Sequence, residues 1–226
     1  MKFEDTLWTE KWIQEPFSPI SEIYVCTGYG TDEEPSASLC MASFAFVMGD
    51  NFKEGMKLLD YGCGSARFCN FISKRLKDFA YYGLEPDSPF GNEGIEIAKN
   101  HFGHDQRAKF GFIGADLEKE AINSVDTVLL LSIFTHTTIE ETEQILRKLF
   151  PIIERGGKVV FSMILGSRYR PIGIGKGAYT MPDSIDIVYN TKQQIKVLKQ
   201  KLSCNMNFVD SFLAGDYLHS IYEVVK

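Results

Sequence analysis

The stretch "LLDYGCGSARF" (Leu58–Phe68) passes from apolar residues through an acid to two glycines spaced two apart, and then into a new apolar pattern. Phe68, Ile72 and Leu76 continue it at helical spacing, with Arg67, Lys74, Arg75 and Lys77 interleaved. The reading is strand, glycine turn, helix. Gly62 and Gly64 lack Cβ atoms, so at such a junction a ligand can approach the backbone at a helix start. A plain strand-to-helix turn uses glycine for geometry alone, and the surrounding residues must decide between the two.

Downstream, "FAYYGLEPD" (79–87) reads as a second strand closed by Pro86, and Ile95, Ala98 and Phe102 mark a second helix. "KFGFIGAD" (109–116) reads as a third strand. "VDTVLLLSIFTH" (125–136) contains a fourth, whose unbroken apolar run marks burial on both faces. Thr138-Ile139-Glu140-Glu141 has the form of a capping box, and the helix it opens runs through Ile145, Leu146 and Leu149 until Pro151 ends it. Gly156-Gly157 then turn the chain into a fifth strand, "KVVFSMIL" (158–165). A basic amphipathic helix (191–202) and two β-like runs, "MNFVDSFL" and "SIYEVVK", finish the chain as an antiparallel pair. This order predicts an α/β fold: a three-layer α/β/α sandwich around a mostly parallel seven-stranded sheet with an antiparallel C-terminal strand.

The 226 residues suit one elaborated domain, and 44% apolar with 24% charged residues is ordinary globular composition. The expected organisation is an N-terminal cap (1–50), a ligand-binding core (55–165), an insertion (166–190), and the terminal helix and hairpin (191–226). Thirty acids against 24 basic residues leave a charge of −6, which argues against phosphate-driven nucleic-acid binding. Five scattered cysteines without a Cys-x-x-Cys pair suggest neither a disulfide framework nor a zinc knuckle, and fit a reducing cytoplasm. "MKFEDTLWTEKWIQEP" lacks the apolar core of a signal peptide, and the most apolar run, Leu39–Met48, is too short to span a membrane.

Ligands on such sheets bind beyond the carboxyl ends of the strands, where strand order reverses. That places the chemistry at Asp60–Gly64, Glu85, Asp116 and Ser132–His136. Glu85 ends the second strand 21 positions after Gly64, where a carboxylate suits a ribose diol. A surface acid before a turn looks the same in sequence.

Taken together, "LLDYGCGSARF", "GLEPD", "GAD", "VLLLSIFTH" and "ERGGKVVFSM" resemble, in order and spacing, the class I (Rossmann-like) S-adenosylmethionine-dependent methyltransferase family over residues 55–165. The resemblance implies S-adenosylmethionine as cofactor and S-adenosylhomocysteine as product. It further implies that Asp60, Gly62, Cys63 and Gly64 hold the methionine part, and that Glu85, followed by Pro86, binds the ribose hydroxyls. Asp116 with Leu117 matches the position that meets the adenine amino group, and Ser132 the backbone that meets the methionine amine. The family's frequent third glycine is Ala66 here, expected with negative φ and tighter packing at the helix start. A nicotinamide site, the natural competitor, wants a third glycine at the position held by Arg67. "GIGKG" (173–177) lacks the Ser or Thr of a phosphate loop and reads as a plain loop.

Methyl transfer needs a base only where the acceptor must lose a proton. His136, just after the fourth strand, is the candidate, against the simpler reading that it caps the strand end. His101 and His104 have no third ligand nearby, so no metal is expected. Substrate contacts are expected from Trp12, Tyr24 and Tyr29 of the cap and from Arg168, Tyr169, Arg170, Lys176 and Tyr179 of the insertion, read as a lid over a polar or anionic molecule. The sequence lacks the Pro-Pro and Pro-Cys signatures of DNA-directed methyltransferases. The expectation is transfer to oxygen or nitrogen of a small molecule, with a catalytically silent cofactor-binding module and a nicotinamide-dependent oxidoreductase as alternatives.

Overall fold

The computed structural model describes residues 44–121, 125–135, 137–165, 170–171, 186–187, 189–214 and 217–226. Residues 44–48 are helical, and Gly49–Asn51 form one 3-10 turn. The core then alternates β1 (Met56–Tyr61), α1 (Arg67–Ser73), β2 (Phe79–Glu85), α2 (Pro89–Phe102), β3 (Ala108–Phe112), α3 (Asp116–Ala121), β4 (Val125–Leu130), α4 (Ile139–Leu149) and β5 (Ile153–Leu165). α5 (Lys192–Leu202), β6 (Asn205–Ala214) and β7 (Tyr217–Val225) complete it.

The main sheet runs β3-β2-β1-β4-β5-β7-β6, with β7 antiparallel to both neighbours and the remaining pairs parallel. Strand order reverses between β1 and β4, as the alternating pattern requires. Successive residues of each strand serve opposite layers. Leu58, Tyr81, Leu129 and Val160 pack with Phe68 and Ile72 of α1 and Ile95 and Ala98 of α2. Leu59, Leu84, Leu130 and Phe161 pack with Leu146 and Leu149 of α4 and Ile195 and Leu198 of α5. This makes three layers, and it explains why the strands read as unbroken apolar runs.

Local sequence signals account for the helix starts. Thr138 Oγ1 accepts the Glu141 N–H at 3.2 Å while Glu141 Oε2 accepts the Thr138 N–H at 2.7 Å, and Thr191 with Gln194 repeats the arrangement for α5. α4 stops at Leu149, and the chain takes a 3-10 turn through Pro151.

Two details add to the expected architecture, and two expectations need correction. The sheet has an eighth member, the two-residue strand Tyr189–Asn190, which pairs parallel with the end of β5. Within the 166–190 segment, Arg170–Pro171 and Asp186–Ile187 pair as a separate small sheet. Gly156 and Gly157 do not precede β5 but lie inside it, where Gly156 takes φ +84° and the register with β4 shifts. Ala66 has φ +62°, not a negative value, and is fully buried at the residue before α1.

No helix among the described residues is long and apolar enough to cross a membrane. No group of three or more His, Cys, Asp or Glu among the described residues could hold a metal ion.

Candidate functional site

The ends of three strands, β1, β2 and β4, meet where β1 and β4 part. The first is the turn after β1, which runs through three left-handed residues: Gly62 at φ +86°, Gly64 at φ +56° and Ala66 at φ +62°. Left-handed geometry at alternate positions turns successive N–H groups the same way, a shape suited to an anionic or polar ligand. Two of these donors are used internally, since Gly62 N–H and Cys63 N–H both bond to the Leu84 carbonyl, at 2.8 and 3.1 Å. A third reaches a side chain. Gly64 N–H donates to Glu85 Oε1 at 2.5 Å, which ties the glycine turn to the end of β2.

Glu85 is 6% exposed, and Oε2 carries no hydrogen bond from any described residue. Burial pushes its carboxyl up to about 7, partly offset by the Gly64 N–H and reinforced by the neighbouring Asp60 charge. Asp60 is buried too. Tyr81 donates its hydroxyl to Asp60 Oδ2 at 2.5 Å, while Oδ1 has no partner among the described residues. Burial raises this carboxyl to about 7 as well, against the opposing Tyr81 hydrogen bond. Two buried acids thus meet at this point, each with an oxygen that has no partner among the described residues.

β4 ends in a turn that leans on the same loop. Ser132 is left-handed at φ +60°, its N–H donates to the buried Ser162 Oγ at 3.0 Å, and Thr135 Oγ1 donates to its carbonyl at 2.6 Å. Ile133 covers Gly62 so closely that a Cβ there would lie 2.1 Å from Ile133 Cδ1. Cys63 is buried with its sulfur against Gly83, and burial pushes the thiol well up, which makes it a packing group and a poor nucleophile.

The structure therefore brings together Asp60, Gly62, Cys63, Gly64, Glu85 and Ser132. Pro86 is exposed just after Glu85. Asp116 is placed differently from the strand-end reading: β3 stops at Phe112, Asp116 opens α3, and its side chain is 97% exposed and bonded to Lys119 at 2.9 Å. The Lys119 hydrogen bond holds that carboxyl below its ordinary value. Leu117 is half-buried against Gly111. Arg170 lies in the small second sheet. Tyr29, His136, Arg168 and Tyr169 lie outside the described residues, as do Trp12, Tyr24, Lys176 and Tyr179.

Sequence reading missed Tyr81, Ser162 and Glu118. Tyr81 and Ser162 sit mid-strand with no motif around them, and only strand pairing brings Tyr81 beside Asp60 and Ser162 beside Ser132. Glu118 looks like one more acid at a helix start, yet it is 4% exposed.

With the geometry in place, comparison with known proteins is informative. A family model described as a methyltransferase domain matches residues 59–159. An uncharacterized methyltransferase of Anoxybacillus flavithermus is 29% identical over 110 residues, covering 49% of this chain and 48% of its own. The chain thus spans about half the length of that curated relative. Among solved structures, magnesium protoporphyrin IX methyltransferase from Synechocystis with bound S-adenosylhomocysteine superposes with a TM-score of 0.67 at 13% identity, covering 99% of this chain and 96% of that one. The Burkholderia thailandensis 1,6-didemethyltoxoflavin-N1-methyltransferase, with its substrate and S-adenosylhomocysteine bound, gives 0.57 at 13% identity over 83% and 79%. At such identities these likenesses speak for the fold.

Proposed function

We propose that this chain, a class I S-adenosylmethionine-dependent methyltransferase by its 59–159 domain, transfers the methyl group to oxygen or nitrogen of a small molecule. The observation that carries the cofactor assignment is the buried Glu85, bonded through one oxygen to the glycine turn, with its other oxygen unbonded among the described residues. A vicinal diol offers two O–H donors, and a buried carboxylate with unused acceptor capacity is their natural partner. The left-handed turn at Gly62–Ala66 and the Asp60 oxygen that has no partner among the described residues fit the charged methionine end of the same molecule.

The bound cofactor supplies an electrophilic methyl group on a sulfonium. The chain's residues contribute position. Glu85 orients the ribose, and the Gly62–Gly64 turn and Ser132 backbone fix the methionine part. Holding two reactants in line can account for about 7 to 11 kcal/mol of a barrier. His136 is the proposed base where the acceptor must lose a proton. Tyr29, Arg168, Tyr169 and Arg170 are proposed to contact the acceptor, as a lid of polar side chains would. The small-molecule reading is supported by the acidic balance of the chain and by the small-molecule substrates named for the two similar solved methyltransferases.

Calorimetry with S-adenosylhomocysteine beside NAD tests the cofactor, and preference for NAD would overturn the proposal. Release of S-adenosylhomocysteine across a metabolite panel tests transfer. Binding without release would leave a silent module.

The two raised carboxyls make binding depend on pH in a definite direction. Both ordinary values lie near 4, and both folded values near 7, so between these limits the ligand-free fold holds protons that the unfolded chain has lost. Ligand-free stability therefore falls as pH rises through this window. Ribose donors favour the carboxylate form of Glu85, so affinity moves the opposite way. S-adenosylhomocysteine should bind about tenfold more weakly at pH 6 than at pH 8, with proton release on binding near pH 7. Calorimetry in buffers of different ionisation enthalpy reads both, and a flat profile would rule out this linkage.

A further inference from the structure

The loop between β3 and α3 starts beside the ribose acid, since Ile113 N–H donates to the Glu85 carbonyl at 2.9 Å. It turns at Gly114, whose φ is +89° and whose outer side is open: a Cβ added there would meet nothing within 4 Å. Behind the loop stands Glu118. Its Oε2 accepts the Gly114 N–H at 2.5 Å, and its Oε1 meets Lys148 Nζ of α4 at 2.7 Å. Lys148 in turn faces the Tyr61 ring at the end of β1, its Nζ 5.9 Å from the ring centre. The Glu118 hydrogen bond and the facing phenol both raise the lysine's pKa against its partial burial, so the cation persists.

A buried carboxylate bonded to one backbone N–H and one ammonium has a fixed place. Here it fixes the sharp turn between the ribose acid and α3, and it anchors that turn to α4 and, through Lys148, to the end of β1, one of the two strands at the strand-order reversal. Asp116 does not do this, because its side chain points to solvent and pairs with Lys119.

Resting on the cofactor reading above, we infer that Glu118 is a positioning residue: through Gly114 it sets the β3–α3 loop as the wall that receives the adenine ring. Its action is indirect, on loop backbone and not on ligand. A wall built from backbone reads the edge of the base, so the consequence lies in base discrimination more than in overall affinity.

The test compares S-adenosylhomocysteine with S-inosylhomocysteine, in which the adenine amino group is replaced by oxygen. Dissociation constants are measured by calorimetry on the full chain, beside the ligand-free melting temperature. The wild type is expected to prefer the adenine ligand. Glu118→Ala should lose about tenfold for that ligand and much less for the inosine one, collapsing the preference, as loss of one positioning hydrogen bond permits. Glu118→Gln, whose amide oxygen still accepts the Gly114 N–H, should retain most of it. Should the alanine variant not fold, Lys148→Met loosens the same carboxylate and is expected to act in the same direction. Equal loss for both ligands, or none, would overturn the inference and return Glu118 to a structural ion pair. A wild type without base preference would do so too. A wild type that binds neither ligand would instead overturn the cofactor reading.

Discussion

Glu85→Ala is expected to weaken S-adenosylhomocysteine binding by about 1.5 to 3 kcal/mol, roughly 10- to 150-fold, the typical worth of hydrogen bonds to a charged group. Two effects act together. The acceptor proposed for the ribose hydroxyls is removed, and the Gly64 N–H loses the Glu85 carboxylate oxygen it bonds at 2.5 Å. The second effect loosens the turn that carries Gly62 and Ala66, so the loss should extend to the methionine end of the ligand. Glu85→Gln separates the two, because its amide oxygen can keep the Gly64 bond while its NH2 group faces hydroxyls that must now accept. Calorimetry on the three proteins gives the ranking, wild type tightest and alanine weakest. An unchanged dissociation constant for the alanine variant would remove the ribose role. The ligand-free melting temperature should not fall in parallel, since removing a buried acid raised to about 7 relieves an electrostatic cost as it deletes a bond.

Gly91→Ala should be the most destabilising of the small substitutions, by about 3 kcal/mol, the upper end of ordinary overpacking costs. Gly91 is the third residue of α2, its N–H bonded to the Ser88 hydroxyl at 3.1 Å. A Cβ there would lie 2.0 Å from the Pro86 carbonyl oxygen and 3.2 Å from Glu85 Cβ. A backbone carbonyl cannot rotate away as a side chain can, so α2 must shift or the Glu85–Pro86 turn must open. For a chain of this length the melting temperature should drop by about 6 to 12 °C, and S-adenosylhomocysteine should bind more weakly because Glu85 moves with the turn. Gly156→Ala is the control. Its φ of +84° strains an alanine, but a Cβ there meets nothing within 4 Å, so the cost should stay near 1 kcal/mol. Thermal melts of both variants decide the matter, and equal costs would mean that the close approach at Pro86 is relieved cheaply.

The scaffold was legible because its signals are local. Apolar runs closed by Gly62 and Pro86 announced β1 and β2, an unbroken apolar run announced β4, and Thr138-x-x-Glu141 announced α4 to the residue. Gly62, Gly64 and Glu85 were legible as a spacing. Ala66 misled because left-handed geometry is rare for alanine and nothing in its neighbours demands it; the demand comes from the turn, which alternates left-handed residues at 62, 64 and 66. Position 116 misled for a different reason: "KFGFIGAD" is apolar through Ile113, but the strand's last partner is Phe112, opposite Glu85, and beyond that pairing the chain is free to turn. Tyr81 and Glu118 were silent because their meaning lies in partners 21 and 30 residues away, Asp60 and Lys148, which only the folded sheet and α4 bring near.

The short strand Tyr189–Asn190 pairs with Ile164 and Leu165, the last residues of β5. Chain that departs after Leu165 thus comes back beside its own point of departure, about 4.8 Å away across a ladder. Everything between these two points is a closed excursion whose length the sheet does not sense, and lengthening such an excursion carries only a slow, logarithmic entropic cost. The protein is in this respect a socket. A segment entered after Leu165 and left at Tyr189 can be exchanged for another of different length while the strands that carry Asp60 and Glu85, their register and their buried acids are left as they are.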